Sequence, residues 1–167
     1  ENGIDFDQKV CRSMIGSLLY LCACRPDIML RVCMCARFQA TPKESHHKAV
    51  NHILRYLAHT PTLGSWYPKG SAFDLMEYSD SDYAGDRVDC KSTSSTCHFL
   101  GRSLVCWSSK KQNCVSLSTA EAGYIAAGSC CAQFLWMKQT LKDYGVNMKN
   151  VPLFCDNESV SKIAHNP

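Results

Sequence analysis

An apolar, strand-like run (Phe73, Leu75, Tyr78) ends in two acids one residue apart, Asp80 and Asp82, and small residues and Gly85 follow. A strand end that delivers carboxylates into a turn is one way to hold a hard divalent cation with oxygen ligands. An acidic, solvated hairpin turn uses the same residue types, because Asp, Ser and Gly are ordinary turn formers. Taken alone, the segment favours the plain turn. Other segments shift that balance.

The chain has 167 residues, 46% of them apolar and 20% charged, which is the balance of a folded domain and not of a disordered one. That length buries a proper core, enough for one domain or for one domain plus a small helical piece. A net charge of +3 permits a nucleic-acid partner without proving one. No apolar run approaches membrane-spanning length and no signal peptide is visible, so neither membrane nor secretion is expected. The chain starts at Glu1 with no initiator Met and reads as a piece of something longer.

Twelve cysteines could suggest a disulfide scaffold, but a full apolar complement without a secretory signal points to reduced thiols inside a cell. Cys22, Cys24, Cys33 and Cys35 form two C-x-C pairs. Residues two apart on a helix diverge, which is poor tetrahedral geometry, so core thiols without zinc are expected. Cys130-Cys131 reads the same way.

The first part of the chain is helical. Arg12–Cys24 carries Met14, Ile15, Leu18, Leu19 and Cys22 at helical spacing. Pro26 and Asp27 open a second helix, and Thr41-Pro42-Lys43-Glu44 predicts a capped start for a third that runs to about Ala58. His46, His47 and His52 show no acid–histidine metal spacing. Pro61, Gly64, Pro68 and Gly70 then mark a boundary between a helical unit, 1–65, and a second unit, 72–167.

Strands are expected at Phe73–Ser79, Thr96–Leu100 and Ser103–Ser108, with Gly101-Arg102 as the turn between the last two. Lys91-Ser92-Thr93-Ser94-Ser95 reads as a polar loop, and its one base, Lys91, with Lys110 and Lys111, suits phosphate contacts or a solvated sheet edge. Ser118-Thr119-Ala120-Glu121 predicts a capping box for a long helix stopped by Gly145. Val151–Cys155 reads as a short buried strand, and Asp156-Asn157-Glu158 opens a last helix. This order is α/β with a mixed sheet.

It is also the order of a ribonuclease H domain. Arg12-Ser13-Met14-Ile15-Gly16-Ser17-Leu18-Leu19-Tyr20-Leu21, Arg25-Pro26-Asp27-Ile28, Tyr78-Ser79-Asp80-Ser81-Asp82-Tyr83-Ala84-Gly85, Lys91-Ser92-Thr93-Ser94, Ser118-Thr119-Ala120-Glu121-Ala122 and Cys155-Asp156-Asn157 resemble the C-terminal part of the Ty1/copia-type retrotransposon polyprotein. The resemblance covers essentially the whole chain. It implies a helical connector behind a reverse transcriptase, then a ribonuclease H-like domain with a mixed sheet and flanking helices, incomplete at its C-terminus. It also implies an intracellular setting: cytoplasm, virus-like particle or nucleus.

The resemblance further implies hydrolysis of the RNA strand of an RNA–DNA hybrid by two Mg²⁺ ions, about 3.5–4 Å apart. Asp80 matches the first-strand ligand and Asp156 the ligand after the buried strand, whereas Asp82 supports the turn. Lys91, Ser92, Lys110 and Lys111 are the candidate nucleic-acid contacts. The sequence departs from the pattern at the helix, where Gly123 stands at the expected Glu. Glu121 survives two residues away, about 200° round the helix, with a local capping task. The last ligand of the family lies beyond Pro167. A glycine inside a helix, with Cys11, Cys90 and Ser95 off-pattern, is the local inconsistency expected of a decayed copy. Three alternatives follow: a catalytically impaired ribonuclease H-like domain, an active two-metal enzyme that uses Glu121, or a non-catalytic remnant that binds nucleic acid.

Overall fold

The computed structural model describes residues 3–70 and 72–166, and the chain divides into two units, Glu1–Ser65 and Trp66–Pro167. The first unit is helical. Helix α1 (Gln8–Leu21) begins four residues before Arg12 because Asp7 caps it: its carboxylate accepts the Val10 N–H at 3.0 Å. Pro26–Ile28 form a single 3₁₀ turn that leads into α2 (Met29–Ala36). Helix α3 (Glu44–His59) starts later than Thr41 suggests. Lys43 is its N-cap, and the ring Nδ1 of His46 accepts the Lys43 N–H at 2.9 Å.

Cys11, Ile15, Leu18 and Cys22 recur at intervals of three and four on α1, and they meet Ile28, Val32, Val50 and Ile53 in one core. Arg25 ties the connections together. Its guanidinium forks onto both Asp27 oxygens at 2.9 and 2.8 Å, and it also donates to the carbonyl and hydroxyl of Thr60 at 3.1 and 2.8 Å. Asp27 is held below the usual carboxylate range by this bond. His47 stacks on Phe6 and His46 on Phe38. Ile15 has no exposed surface, so Ile15→Ala is expected to destabilise this unit by about 2–5 kcal/mol, read as an earlier urea midpoint.

The second unit is a mixed sheet with helices. Its strands are β1 (Leu75–Asp82), β2 (Thr93–Leu100), β3 (Ser103–Lys111) and β4 (Leu153–Cys155), in spatial order β3-β2-β1-β4. β1 runs antiparallel to β2 and parallel to β4. The β2–β3 turn is the expected one: Leu100 pairs with Ser103, and Gly101 has φ +59°. Helix α4 (Thr119–Asp143) lies across β1 and β2, and α5 (Glu158–His165) packs against α4. Ala122, Gly123, Ala126, Ala127 and Cys130 form the buried stripe of α4, and small side chains let the helix approach the sheet. Gly145, at φ +80°, ends α4 as the sequence suggests. The fold is the mixed α/β, ribonuclease H-like arrangement that the resemblance implied.

Four boundaries differ from the sequence expectation. β1 continues to Asp82, so Asp80 is a strand residue and does not lie in the turn. β2 begins at Thr93: Ser92, Thr93 and Ser94 are buried, and Lys91 and Ser95 are partly so. β3 extends to Lys111 to pair with Thr93. β4 is a three-residue edge strand that is only partly buried, and its central Phe154 is exposed and stacks on Tyr78, ring centroids 5.1 Å apart. Among the described residues, no helix is long and apolar enough to cross a membrane.

Candidate functional site

The parallel pairing of β1 with β4 puts Ser79 opposite Cys155, so the next residues, Asp80 within β1 and Asp156 just past β4, follow side by side. Both are exposed. They border a cleft of about 430 Å³ that is completed by Ser81, Thr119, Gly123, Cys155, Asn157, Glu158 and Ser159. Asp80 Oδ1 accepts the N–H of Ser81 at 2.6 Å. Asn157 caps α5 by accepting the Ser159 N–H at 2.9 Å, which fixes the backbone just after Asp156.

The helix side of the cleft is formed at Gly123, the position at which a carboxylate was expected. Glu121 is not part of it. Its Oε2 accepts the N–H of Leu117 at 2.6 Å, while the Ser118 hydroxyl accepts the Glu121 N–H at 3.1 Å. This is the capping task read from the sequence, with the donor displaced by one residue, from the N-cap Ser118 N–H to that of Leu117. Gly123 also has a packing reason that the sequence did not reveal. A Cβ there would lie 2.6 Å from Val160 Cγ2 and 3.8 Å from Ser81 Oγ, so the glycine lets α5 sit close against α4. The expectation of a helix glycine without compensation is therefore corrected.

Asp82 is the last residue of β1 and packs on the turn that follows. Its carboxylate lies against Gly85, where any Cβ would overlap it. Beyond it the chain organises around Asp86, whose Oδ1 accepts the Val88 N–H at 3.0 Å and whose Oδ2 meets Lys111 Nζ at 2.6 Å. Lys111 also pairs with Asp89 at 2.7 Å, and these bonds raise its pKa. Two of the four candidate nucleic-acid contacts are thereby corrected. Lys111 is engaged within the chain, and Ser92 is fully buried with its hydroxyl accepting the Ala84 N–H at 3.1 Å. Lys110 is exposed and Lys91 partly so. Lys110 pairs with Ser94, which pairs with Ser81, so it stands one register step from the Asp80 row.

Sequence reasoning missed Glu158 as a cleft residue. Its place directly behind Asp156-Asn157, in the first turn of α5, was the available signal. Among the described residues the cysteines form no disulfide; Cys22 and Cys130 are buried whereas their neighbours Cys24 and Cys131 are exposed, and Cys33 and Cys35 are both partly buried.

Comparison with known proteins gives consistent relatives. The chain is 38% identical, over 93% of its length, to a retrovirus-related Pol polyprotein from transposon RE1 of Arabidopsis thaliana, of which it covers 11%. It is 36% identical, over 92% of its length, to the corresponding polyprotein from transposon TNT 1-94 of Nicotiana tabacum, of which it covers 12%. It is also 35% identical, over 75% of its length, to the secreted RxLR effector protein 161 of Plasmopara viticola, of which it covers 89%. No protein-family model and no solved structure matches the chain.

Proposed function

The chain belongs to the retrovirus-related Pol polyproteins of Ty1/copia-type transposons, and from that premise we propose that its second unit is a ribonuclease H-like domain that engages RNA–DNA hybrids and hydrolyses them poorly. The observation that carries this reading is the meeting of Asp80 and Asp156 at one end of β1 and β4, beside a helix that offers Gly123 where a third carboxylate would stand.

The donor set suits a hard cation. The carboxylates of Asp80, Asp156 and Glu158 and the hydroxyls of Ser81 and Thr119 border one cleft and offer oxygen donors. Asp80 and Asp156 would hold a Mg²⁺ ion. Bound there, the ion would activate a water and neutralise the charge on the leaving oxygen. The chain's own residues set the limits. Gly123 brings no charge, Glu121 is committed to the Leu117 N–H, and the exposed Glu158 reaches Lys162 at 3.6 Å. Two aspartates halve the negative charge that a two-ion centre needs, and the second ion is the one left short. Lys110 and Lys91 are the cations placed to meet backbone phosphates, and discrimination of hybrid from duplex DNA would rest on 2′-hydroxyl contacts.

The test is binding of a fluorescent hybrid by the 167-residue chain, competed by duplex DNA of the same sequence. Preference for the hybrid, lowered when Lys110 and Lys91 are both changed to Ala, supports the reading. Equal affinity for both duplexes, or none for either, overturns it.

A further inference from the structure

The sheet face under α4 carries a cluster that the cleft does not use. Glu77 on β1 and His98 on β2 are direct cross-strand partners, and Cys130 comes down on them from α4. All three are buried, at 2%, 0% and 0% exposure. The ring Nδ1 of His98 lies 3.1 Å from Glu77 Oε1, and the Cys130 sulfur lies 3.8 Å from Glu77 Oε2. One donor atom from each residue falls within 4.8 Å of the other two.

Those separations resemble a coordination shell. Ligands at zinc distances of about 2.0–2.3 Å, set at tetrahedral angles, stand roughly 3.3–3.6 Å from one another. The donor types agree as well: thiolate, imidazole and carboxylate are the three side chains that zinc takes. The Tyr78 carbonyl oxygen lies 3.7 Å from the same sulfur. The surroundings carry two more polar atoms without partners, His98 Nε2 and Ser79 Oγ.

We propose that Glu77, His98 and Cys130 bind one divalent ion of the zinc type as a structural centre in the core of the second unit. The charges balance. A thiolate, a carboxylate and a neutral imidazole together carry two negative charges, which a dication cancels inside a region closed to water. Without an ion the same burial works against both anions. It raises the Glu77 carboxyl against the opposing pull of His98, and, with Glu77 adding to it, pushes the Cys130 thiol up to about 12. On binding, the S–H bond breaks, the sulfur lone pair forms the metal bond, and the proton passes to solvent. The site is closed, so the ion enters as the unit folds.

This inference is independent of hybrid binding and is tested separately. The full chain is purified in reducing, chelator-free buffer and loaded with Co²⁺ or Zn²⁺. One equivalent of Co²⁺ with the absorption of a tetrahedral thiolate site is expected. X-ray absorption of the zinc form should show one sulfur among nitrogen and oxygen donors. Free zinc at 100 times its dissociation constant should shift the folding equilibrium about 100-fold toward the native state. Cys131→Ser, at the exposed neighbour, should keep the cobalt spectrum, and Cys130→Ser and His98→Gln should lose it. No uptake by the wild-type chain, two or more sulfurs at the metal, or an unchanged spectrum in Cys130→Ser would overturn the proposal. If Cys130→Ser does not fold, the sulfur count in the wild-type chain decides.

Discussion

In Mg²⁺ the 167-residue chain is expected to leave an RNA–DNA hybrid essentially uncut, and Gly123→Glu combined with Val160→Ala is expected to raise cleavage by about 10²–10³-fold, the usual worth of one lost transition-state contact. Gly123 borders the same cleft as Asp80 and Asp156, so a carboxylate there restores the missing charge. The single change Gly123→Glu is expected to do less, because its Cβ would meet Val160 Cγ2 at 2.6 Å. Overpacking of that kind costs about 1–3 kcal/mol. Trimming Val160 removes the obstructing methyl and lets α5 stay in place. The measurements are hybrid cleavage rates and urea midpoints for the wild type, both single variants and the double variant. Vigorous wild-type cleavage that Asp80→Asn abolishes would show that Glu121 leaves Leu117 and serves the site after all. A double variant that folds like the wild type but gains nothing would count against Gly123 as the ligand position.

How far the sequence disclosed this site depends on the residue. Asp80 and Asp156 were legible because each follows an apolar strand-like run, and strand order then makes them neighbours. Glu121 was legible as a cap, since Ser118 three residues earlier fixes its local role. The packing reason for Gly123 was not legible, because Val160 lies 37 residues further along and approaches only through the α4–α5 contact. Ser92 misled for a related reason. A polar residue in a Ser- and Thr-rich run reads as a loop, yet pairing with β3 draws Thr93–Ser95 into the sheet and buries Ser92 beside the Ala84 amide. Lys111 misled because its partners, Asp86 and Asp89, sit on a loop that folds back onto β3. The Glu77–His98–Cys130 cluster was hidden altogether, as its members come from three elements with no motif spacing.

The second large effect lies in that cluster. In buffer containing a strong chelator, His98→Ala is expected to destabilise the chain by about 3–5 kcal/mol, because it leaves the buried Glu77 carboxylate without its partner. Glu77→Leu with His98→Phe should recover most of that loss, since a buried pair replaced by apolar groups of similar volume is commonly neutral or stabilising. Urea unfolding followed by circular dichroism reads both. A double variant as unstable as His98→Ala would mean that the pair sets the local packing and does more than neutralise itself.

The pairing of β1 with β4 also has a consequence in time. β1 meets β2 early, across a short loop, but its other edge waits for three residues that emerge only after β3 and the whole of α4. Until then a growing chain carries β1 with one row of backbone donors and acceptors open, a template for unwanted strand pairing. The late partner is also brief, so its zipping is slow and non-local, and the two aspartates stay apart until it is done. A ribosome that pauses between α4 and β4 would therefore release aggregates more readily than one that pauses after α5.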